Sequence, residues 1–105
     1  LFEAVELMQR MFAGAPVTHE ARHYRTRDLI GGPEPVQRPR PPLLIGAAGR
    51  KMLTFAGEKA DMVSVNRSFS TVSFGGRPPR QRPDEAVAEQ IGWISAAAGG
   101  RLSEV

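Results

Sequence analysis

A chain of 105 residues with a net charge of +3 and a pI near 10.2 is long enough for one small domain. Twelve of its fourteen basic residues are arginines scattered among acidic residues, which argues against a basic arm that binds nucleic acid. Cysteine is absent, so disulfides, thiolate metal sites and a cysteine nucleophile are excluded. Apolar runs are short and no signal peptide is visible, so we expect a soluble, cytoplasmic chain with no membrane partner.

The first third of the chain predicts a helix and a hairpin. Apolar residues recur at helical spacing over 1–13, and Gly14 ends the pattern. The predicted buried stripe consists of Leu1, Val5, Met8 and Phe12, widened by Leu7 and Met11. Since this helix starts at Leu1 rather than at a methionine, we expect the chain to begin inside an element of a longer protein. Residues 16–27 alternate loosely, which favours two short strands that turn near 20–22.

The centre of the chain has the order of a βαβ unit. An extended segment over 31–42, with five of the nine prolines, precedes a brief apolar strand at 43–45. Small residues at 46–49 predict a turn, a helix follows over 50–59, and 62–65 predicts a second strand parallel to the first. Two parallel strands leave open edges and faces, while an eight-stranded α/β barrel takes roughly 250 residues. The sequence therefore predicts part of a larger parallel sheet or barrel, or exposed apolar patches.

The last third predicts one helix after a long polar segment. Residues 66–82 have low hydropathy and two Gly-Gly or Pro-Pro pairs, and the helix begins at Pro83 and runs to Ala98. Its predicted buried stripe consists of Val87, Ile91, Ile94 and Ala98. Gly99 and Gly100 end this helix, and residues 101–105 begin a further element.

The small-residue turn Gly46, Ala47, Ala48 and Gly49 is the main candidate site. Main-chain N–H groups at a helix start carry partial positive charge and can hold a phosphate, although a tight turn that binds nothing has the same composition. The turn lacks the residues of a Walker loop or a dinucleotide fingerprint. Because ligands bind beyond the carboxyl ends of parallel strands, Asn66 and Arg67 are expected on the same face as Gly46.

Other polar motifs have weaker functional interpretations. His19 and His23 are the only histidines, and as strand and turn residues they are expected to be exposed and not to form a metal site. Asp61 is either a site acid or an ordinary helix-to-strand turn residue. The run 38–42 is either a polyproline ligand or a stiff connector, and the connector is favoured because Leu43 follows at once. No catalytic residue can be named from spacing.

Several segments together resemble the bacterial luciferase-like monooxygenase family, most closely its members that use a deazaflavin coenzyme. These segments are FAGAPVT at 12–18, HY at 23–24, PVQRPRPPLLIG at 35–46, AGRKML at 48–53, AD at 60–61 and PDEAV at 83–87. The resemblance covers nearly the whole chain and is least close over 68–81. It departs at Ala47 and Ala48, where relatives have more glycine.

The resemblance implies an α/β fold, namely a fragment of a (βα)8 TIM barrel with two parallel strands, their helices and a β-hairpin insertion. Residues 1–105 would be one partial barrel domain that lacks the N-terminal strands and the last strands. By similarity, the turn Gly46, Ala47, Ala48 and Gly49 approaches the cofactor phosphate, and Asn66 and Arg67 contribute to it. The cofactor would be FMN or the deazaflavin coenzyme F-420, and the parent activity that of an oxidoreductase or monooxygenase acting on an unknown small organic substrate. We expect the isolated chain to be inactive.

Two other classes of function stay open at this point. The chain could be a non-catalytic remnant or interaction module that forms a homo-oligomer through exposed strand edges. A small basic nucleic-acid binder is disfavoured, since the arginines are scattered and no binding motif is present.

Overall fold

The computed structural model describes residues 1–66 and 82–105, which belong to two compact units. The N-terminal unit is Leu1–Pro41 and the C-terminal unit is Pro42–Val105. Both helices and strands are present, so the predicted α/β class is confirmed, while the origin of the chain as a barrel fragment and the single partial domain over 1–105 stay predictions.

The N-terminal unit is a helix followed by a hairpin, as predicted. Helix α1 is Phe2–Phe12, and strands β1 (Val17–Glu20) and β2 (Arg25–Leu29) pair antiparallel. The hairpin turn occupies 21–24, slightly later than predicted. The register of the pair shifts between Val17 and His19, which marks a bulge or irregularity.

The buried face of α1 differs from the predicted stripe. Val5 and Leu7 are buried, whereas Leu1 and Met8 are exposed. Strand β1 packs against α1, and a four-residue strand is too short to cover an apolar stripe that runs the length of the helix. The position of β1 therefore determines which part of the stripe is buried, and residue spacing alone does not reveal that position.

The C-terminal unit contains the predicted βαβ arrangement. Strand β3 (Leu44–Ala47), helix α2 (Arg50–Lys59) and strand β4 (Met62–Val65) follow one another along the chain. The two strands are parallel and in continuous register from the Leu44 and Met62 pair to the Ala47 and Val65 pair. The prediction of two neighbouring parallel strands joined through a helix is thus confirmed.

The end of β3 corrects the predicted turn. Gly46 and Ala47 pair with Ser64 and Val65, so they belong to the strand, and the turn is reduced to residues 48 and 49. The reason is a tertiary contact. β4 has four residues, and β3 extends over the four residues that pair with them.

One face of this small sheet is buried and the other is open. Ala47 packs with Leu53 and Ile94 in the core; around them lie Met52, Val63, Val65, Trp93 and Val105. On the opposite face Leu44 is 57% exposed and Met62 is 46% exposed. An all-apolar strand at 43–45 is expected to be buried on both faces, as parallel strands usually are, and this expectation is wrong for the first strand. The predicted exposed apolar patch is confirmed.

Helix α3 (Pro83–Ala98) has the predicted bounds, and half of its predicted buried stripe, Ile94 and Ala98, is buried. Its buried residues are Ala86, Gln90, Ile94 and Ala98, which recur every four residues. Val87 and Ile91, predicted to be buried, are about half exposed. The helix packs closely on α2 at Gly57 and Ala97, and Gln90 is buried in line with Ala86 and Ile94.

A 3-10 helix, Gly99–Glu104, follows α3 directly and confirms the predicted further element. Its Arg101 side chain reaches the carboxyl end of α2. None of the helices described in 1–66 and 82–105 is both long enough and apolar enough to cross a membrane.

Candidate functional site

The carboxyl ends of β3 and β4 bring two predicted site residues together. The Asn66 amide donates a hydrogen bond to the carbonyl of Ala47 at 2.8 Å and so continues the strand pairing by one step. A Cβ atom placed on Gly46 would lie 3.4 Å from Nδ2 of Asn66. Gly46 therefore lies beside the Asn66 side chain, and the expectation that Gly46 and Asn66 share one face is confirmed.

The start of α2 lies directly after this sheet edge. Gly49 is the N-cap residue in an extended conformation, and its carbonyl accepts hydrogen bonds from the Met52 and Leu53 amides. The first turn contains Arg50 and Lys51 but no acidic residue, and no side chain within 1–66 and 82–105 caps the helix. A Cβ atom at Gly49 would meet no atom of the described residues within 4 Å.

These features fit a phosphate group. The helix start carries partial positive charge, two basic side chains add to it, and Gly49 keeps the approach open on the side formed by the described residues. The Asn66 side chain carries a further N–H donor at the same carboxyl edge of the sheet, beside Gly46.

The other predicted site residues occupy different surroundings. Ala47 is only 7% exposed and its methyl group lies in the core, so only its main chain could contribute to a ligand site. Ala48 is partly buried and its carbonyl is engaged by Gln90. Arg67 lies outside the described residues.

Gln90 is a residue of this site that sequence reasoning missed. It is 3% exposed, and its Nε2 donates to the carbonyls of Ala48 at 2.7 Å and Asn66 at 3.1 Å. The available signal is the four-residue spacing of Gln90 with Ala86 and Ile94, which places it in line with two apolar residues.

Asp61 lies at the opposite end of the strands. Its carboxylate accepts a hydrogen bond from the Leu43 amide at 2.7 Å, and its own amide donates to the Leu43 carbonyl at 2.9 Å. These two hydrogen bonds hold Leu43, which precedes β3, beside Asp61, which precedes β4. Asp61 therefore acts as a turn residue, and it is not brought together with Gly46 and Asn66.

The model of the luciferase-like monooxygenase family matches residues 1–75, well over half of the chain. The chain belongs to the luciferase-like monooxygenase family. Members of this family typically use flavin-type cofactors. The match includes α1, the hairpin, β3, α2 and β4 but ends before α3, so the resemblance of 83–87 stays a prediction.

In this luciferase-like chain, the N-terminal unit contains a polar cluster around Glu3. The Glu3 carboxylate accepts hydrogen bonds from the amides of His23 and Tyr24, at 3.1 Å and 2.7 Å, and lies 3.2 Å from Nε2 of His19. Arg10 lies 3.3 Å from Nδ1 of His19 and donates to the Thr18 carbonyl at 2.9 Å. His19 with its proton on Nε2 satisfies both neighbours. The His19 side chain is largely buried, so the prediction that it is exposed is wrong.

The Glu3 cluster also lowers the pKa of the Glu3 carboxyl group. Burial by itself raises the pKa of the Glu3 carboxyl, but hydrogen bonds from Tyr24, His19 and His23 outweigh it and hold the pKa below its ordinary value of 4.5. The cluster joins α1 to the hairpin turn, which is a structural task. Among residues 1–66 and 82–105, no group of three His, Asp or Glu side chains is placed to hold a metal ion.

Proposed function

We propose that this chain contributes part of the cofactor phosphate site of a luciferase-like oxidoreductase that uses FMN or the deazaflavin coenzyme F-420. The observation that carries the proposal is that Gly46 and Asn66 lie at the sheet edge from which α2 starts, and that no side chain of the described residues caps this start. The family match supports the flavin-type cofactor.

Each residue has a defined task in this proposal. The amides at the start of α2 donate to the phosphate, and Gly49 admits its oxygens to the helix end. The Asn66 side chain donates from the neighbouring strand, while Ala47 and Ala48 serve through their main chain. Arg67 is assigned to the same site by family resemblance. The bound flavin or deazaflavin supplies the redox chemistry, and these residues hold and orient it.

A titration with three compounds tests the proposal. FMN, riboflavin and the deazaflavin coenzyme are added to the chain, and affinity is measured by fluorescence or calorimetry. Riboflavin lacks the phosphate, so we expect FMN to bind more tightly. Equal affinity for FMN and riboflavin would contradict a phosphate site, and tighter binding of either phosphorylated compound identifies the preferred cofactor.

The substitution Gly49→Asp separates binding from stability. Aspartate is a favourable N-cap residue, so the helix should be at least as stable, whereas its carboxylate repels a phosphate. We expect FMN affinity to fall on the order of tenfold, which is about 1.4 kcal/mol, while riboflavin affinity is unchanged. Gly100→Asp introduces the same charge at an exposed glycine of the 3-10 helix and is the matched control.

A second candidate function is an interaction module. The open sheet face with Leu44 and Met62 favours it, because half-exposed apolar side chains on an uncovered sheet can pack against another surface. Dependence of the oligomeric state on protein concentration would support this candidate, and a monomer at all concentrations would count against it.

A further inference from the structure

Gln90 joins two segments at the point where the strand pairing ends. The last paired residues of the sheet are Ala47 and Val65, and the Asn66 amide makes one more bond to Ala47. The next carbonyls along the two segments, those of Ala48 and Asn66, both accept from Nε2 of Gln90. The Gln90 side chain thus bridges the residues that follow β3 and β4, Ala48 and Asn66, through one amide group. We call these two residues the strand exits.

The chemistry of the bridge explains why an amide is suited to it. Two carbonyl oxygens are acceptors and cannot bond to each other, so a donor with two hydrogens is needed between them. An aliphatic side chain at position 90 would leave both carbonyls without this donor, and a carboxylate there would add a third acceptor. Gln90 is held on the buried face of α3 between Ala86 and Ile94, so its amide has little freedom to move away.

We propose that Gln90 is a positioning residue that sets the spacing between the start of α2 and Asn66. This inference rests on the proposed phosphate site, whose two parts lie on the two segments that Gln90 joins. Ala48 immediately precedes the N-cap Gly49, so a shift of the Ala48 carbonyl moves the first turn of α2 relative to Asn66. The residue acts through main-chain geometry and is assigned no contact with the cofactor.

The first test compares Gln90→Met with the wild-type chain. Methionine has a similar length and no N–H donor. The measured quantity is the ratio of the affinities for FMN and riboflavin, because that ratio isolates the phosphate contribution. We expect the ratio to fall about tenfold, as for the loss of about one hydrogen bond to a charged group.

A second variant controls for a loss of stability. Arg101→Met removes hydrogen bonds at the opposite end of α2 and leaves the strand exits untouched. It should lower stability but keep the FMN to riboflavin ratio of the wild type. If both variants lower the ratio equally, Gln90 acts through general stability and the positioning role is overturned.

Amide hydrogen exchange gives a readout that needs no cofactor. In Gln90→Met, exchange should increase at Asn66, Met52 and Leu53, whose amides donate at the strand exits and the helix start. Exchange at the Asp61 and Met62 amides, at the opposite end of the strands, should not change. A uniform increase over the C-terminal unit would refute the inference.

The outcomes separate this inference from the proposed function. If the wild-type chain binds FMN and riboflavin equally, the phosphate site fails, and the exchange pattern alone decides whether Gln90 sets the geometry of the strand exits. If the wild-type chain prefers FMN and Gln90→Met keeps that preference, the phosphate site stands and the positioning role fails.

Discussion

Gly57 of α2 lies against the main chain of Ile94 in α3. A Cβ atom at position 57 would stand 2.6 Å from the Ile94 carbonyl oxygen and 3.0 Å from Cβ of Ala97. The two helices can approach this closely only because residue 57 has no side chain. This glycine therefore sets how closely α2 packs against α3, the helix that carries Gln90.

The substitution Gly57→Ala is therefore expected to destabilise the C-terminal unit. The added methyl group would overlap a main-chain oxygen, and such overpacking costs about 1–3 kcal/mol. The measurement is urea unfolding followed by the fluorescence of Trp93, the only tryptophan, which packs against the core of this unit. The control is Gly92→Ala, where a Cβ atom meets none of the described residues within 4 Å. That change should stabilise α3 by about 0.5–1 kcal/mol, and the opposite order of the two variants would contradict the packing argument.

Arg101 should stabilise the carboxyl end of α2. Its guanidinium donates to the carbonyls of Glu58 at 2.6 Å, Ala60 at 3.0 Å and Gly57 at 3.3 Å. Positive charge at a helix carboxyl end also interacts favourably with the helix dipole. We expect Arg101→Met to lower the free energy of unfolding by about 1–3 kcal/mol, again measured through Trp93 fluorescence.

An exposed arginine provides the comparison for Arg101. Arg82 pairs with Asp84 at 3.4 Å, and both side chains are largely in solvent. Arg82→Gln should therefore change stability by less than about 0.5–1 kcal/mol. Equal losses of unfolding free energy for the two arginine variants would show that the three hydrogen bonds from Arg101 to carbonyl groups do not stabilise the fold.

The Glu3 cluster predicts acid sensitivity of the N-terminal unit. Because the pKa of Glu3 is lowered in the folded state, the folded form binds this proton less readily than the unfolded form does. Its contribution to stability is complete above pH 4.5 and is lost as the pH falls through the lowered folded-state value. The test is NMR of the His19 and Tyr24 ring protons between pH 7 and pH 3, in the wild type and in Glu3→Gln.

Two outcomes of that titration are informative. In Glu3→Gln the acid-induced change at the hairpin should be reduced, since the titrating carboxylate is gone. Glu6→Gln removes the same charge from an exposed position of α1 and is the control. A pH profile that Glu6→Gln alters as much as Glu3→Gln does would show that the cluster is not the cause.

The open sheet face predicts binding of apolar probes. Leu44→Thr combined with Met62→Thr should reduce the fluorescence of a bound hydrophobic dye and any self-association seen by size-exclusion chromatography. Stability should change little, because both side chains are about half exposed and threonine is well suited to strands. Val36→Thr, at an isolated position that is 97% exposed, is the control. Unchanged dye binding in the double variant would remove this face as an interaction surface.

Sequence patterns were sufficient to predict the order of elements, the bounds of α2 and α3, and the parallel pairing of β3 with β4. These features depend on local periodicity, on Gly and Pro as breakers, and on the short helical connection between two apolar runs. The meeting of Gly46 with Asn66 follows from the same topology, since carboxyl ends of parallel strands share an edge.

Tertiary contacts, in contrast, determine which faces are buried and what holds the strand exits. Ala47 joins the strand because β4 supplies it with a partner, and Gln90 faces inward because it lies in line with the buried Ala86 and Ile94 of α3. His19 is covered because Glu3 and Arg10 reach it from α1. In each case the deciding neighbour is distant along the chain, and a periodic pattern records only which residues could be buried, not which surface arrives to bury them.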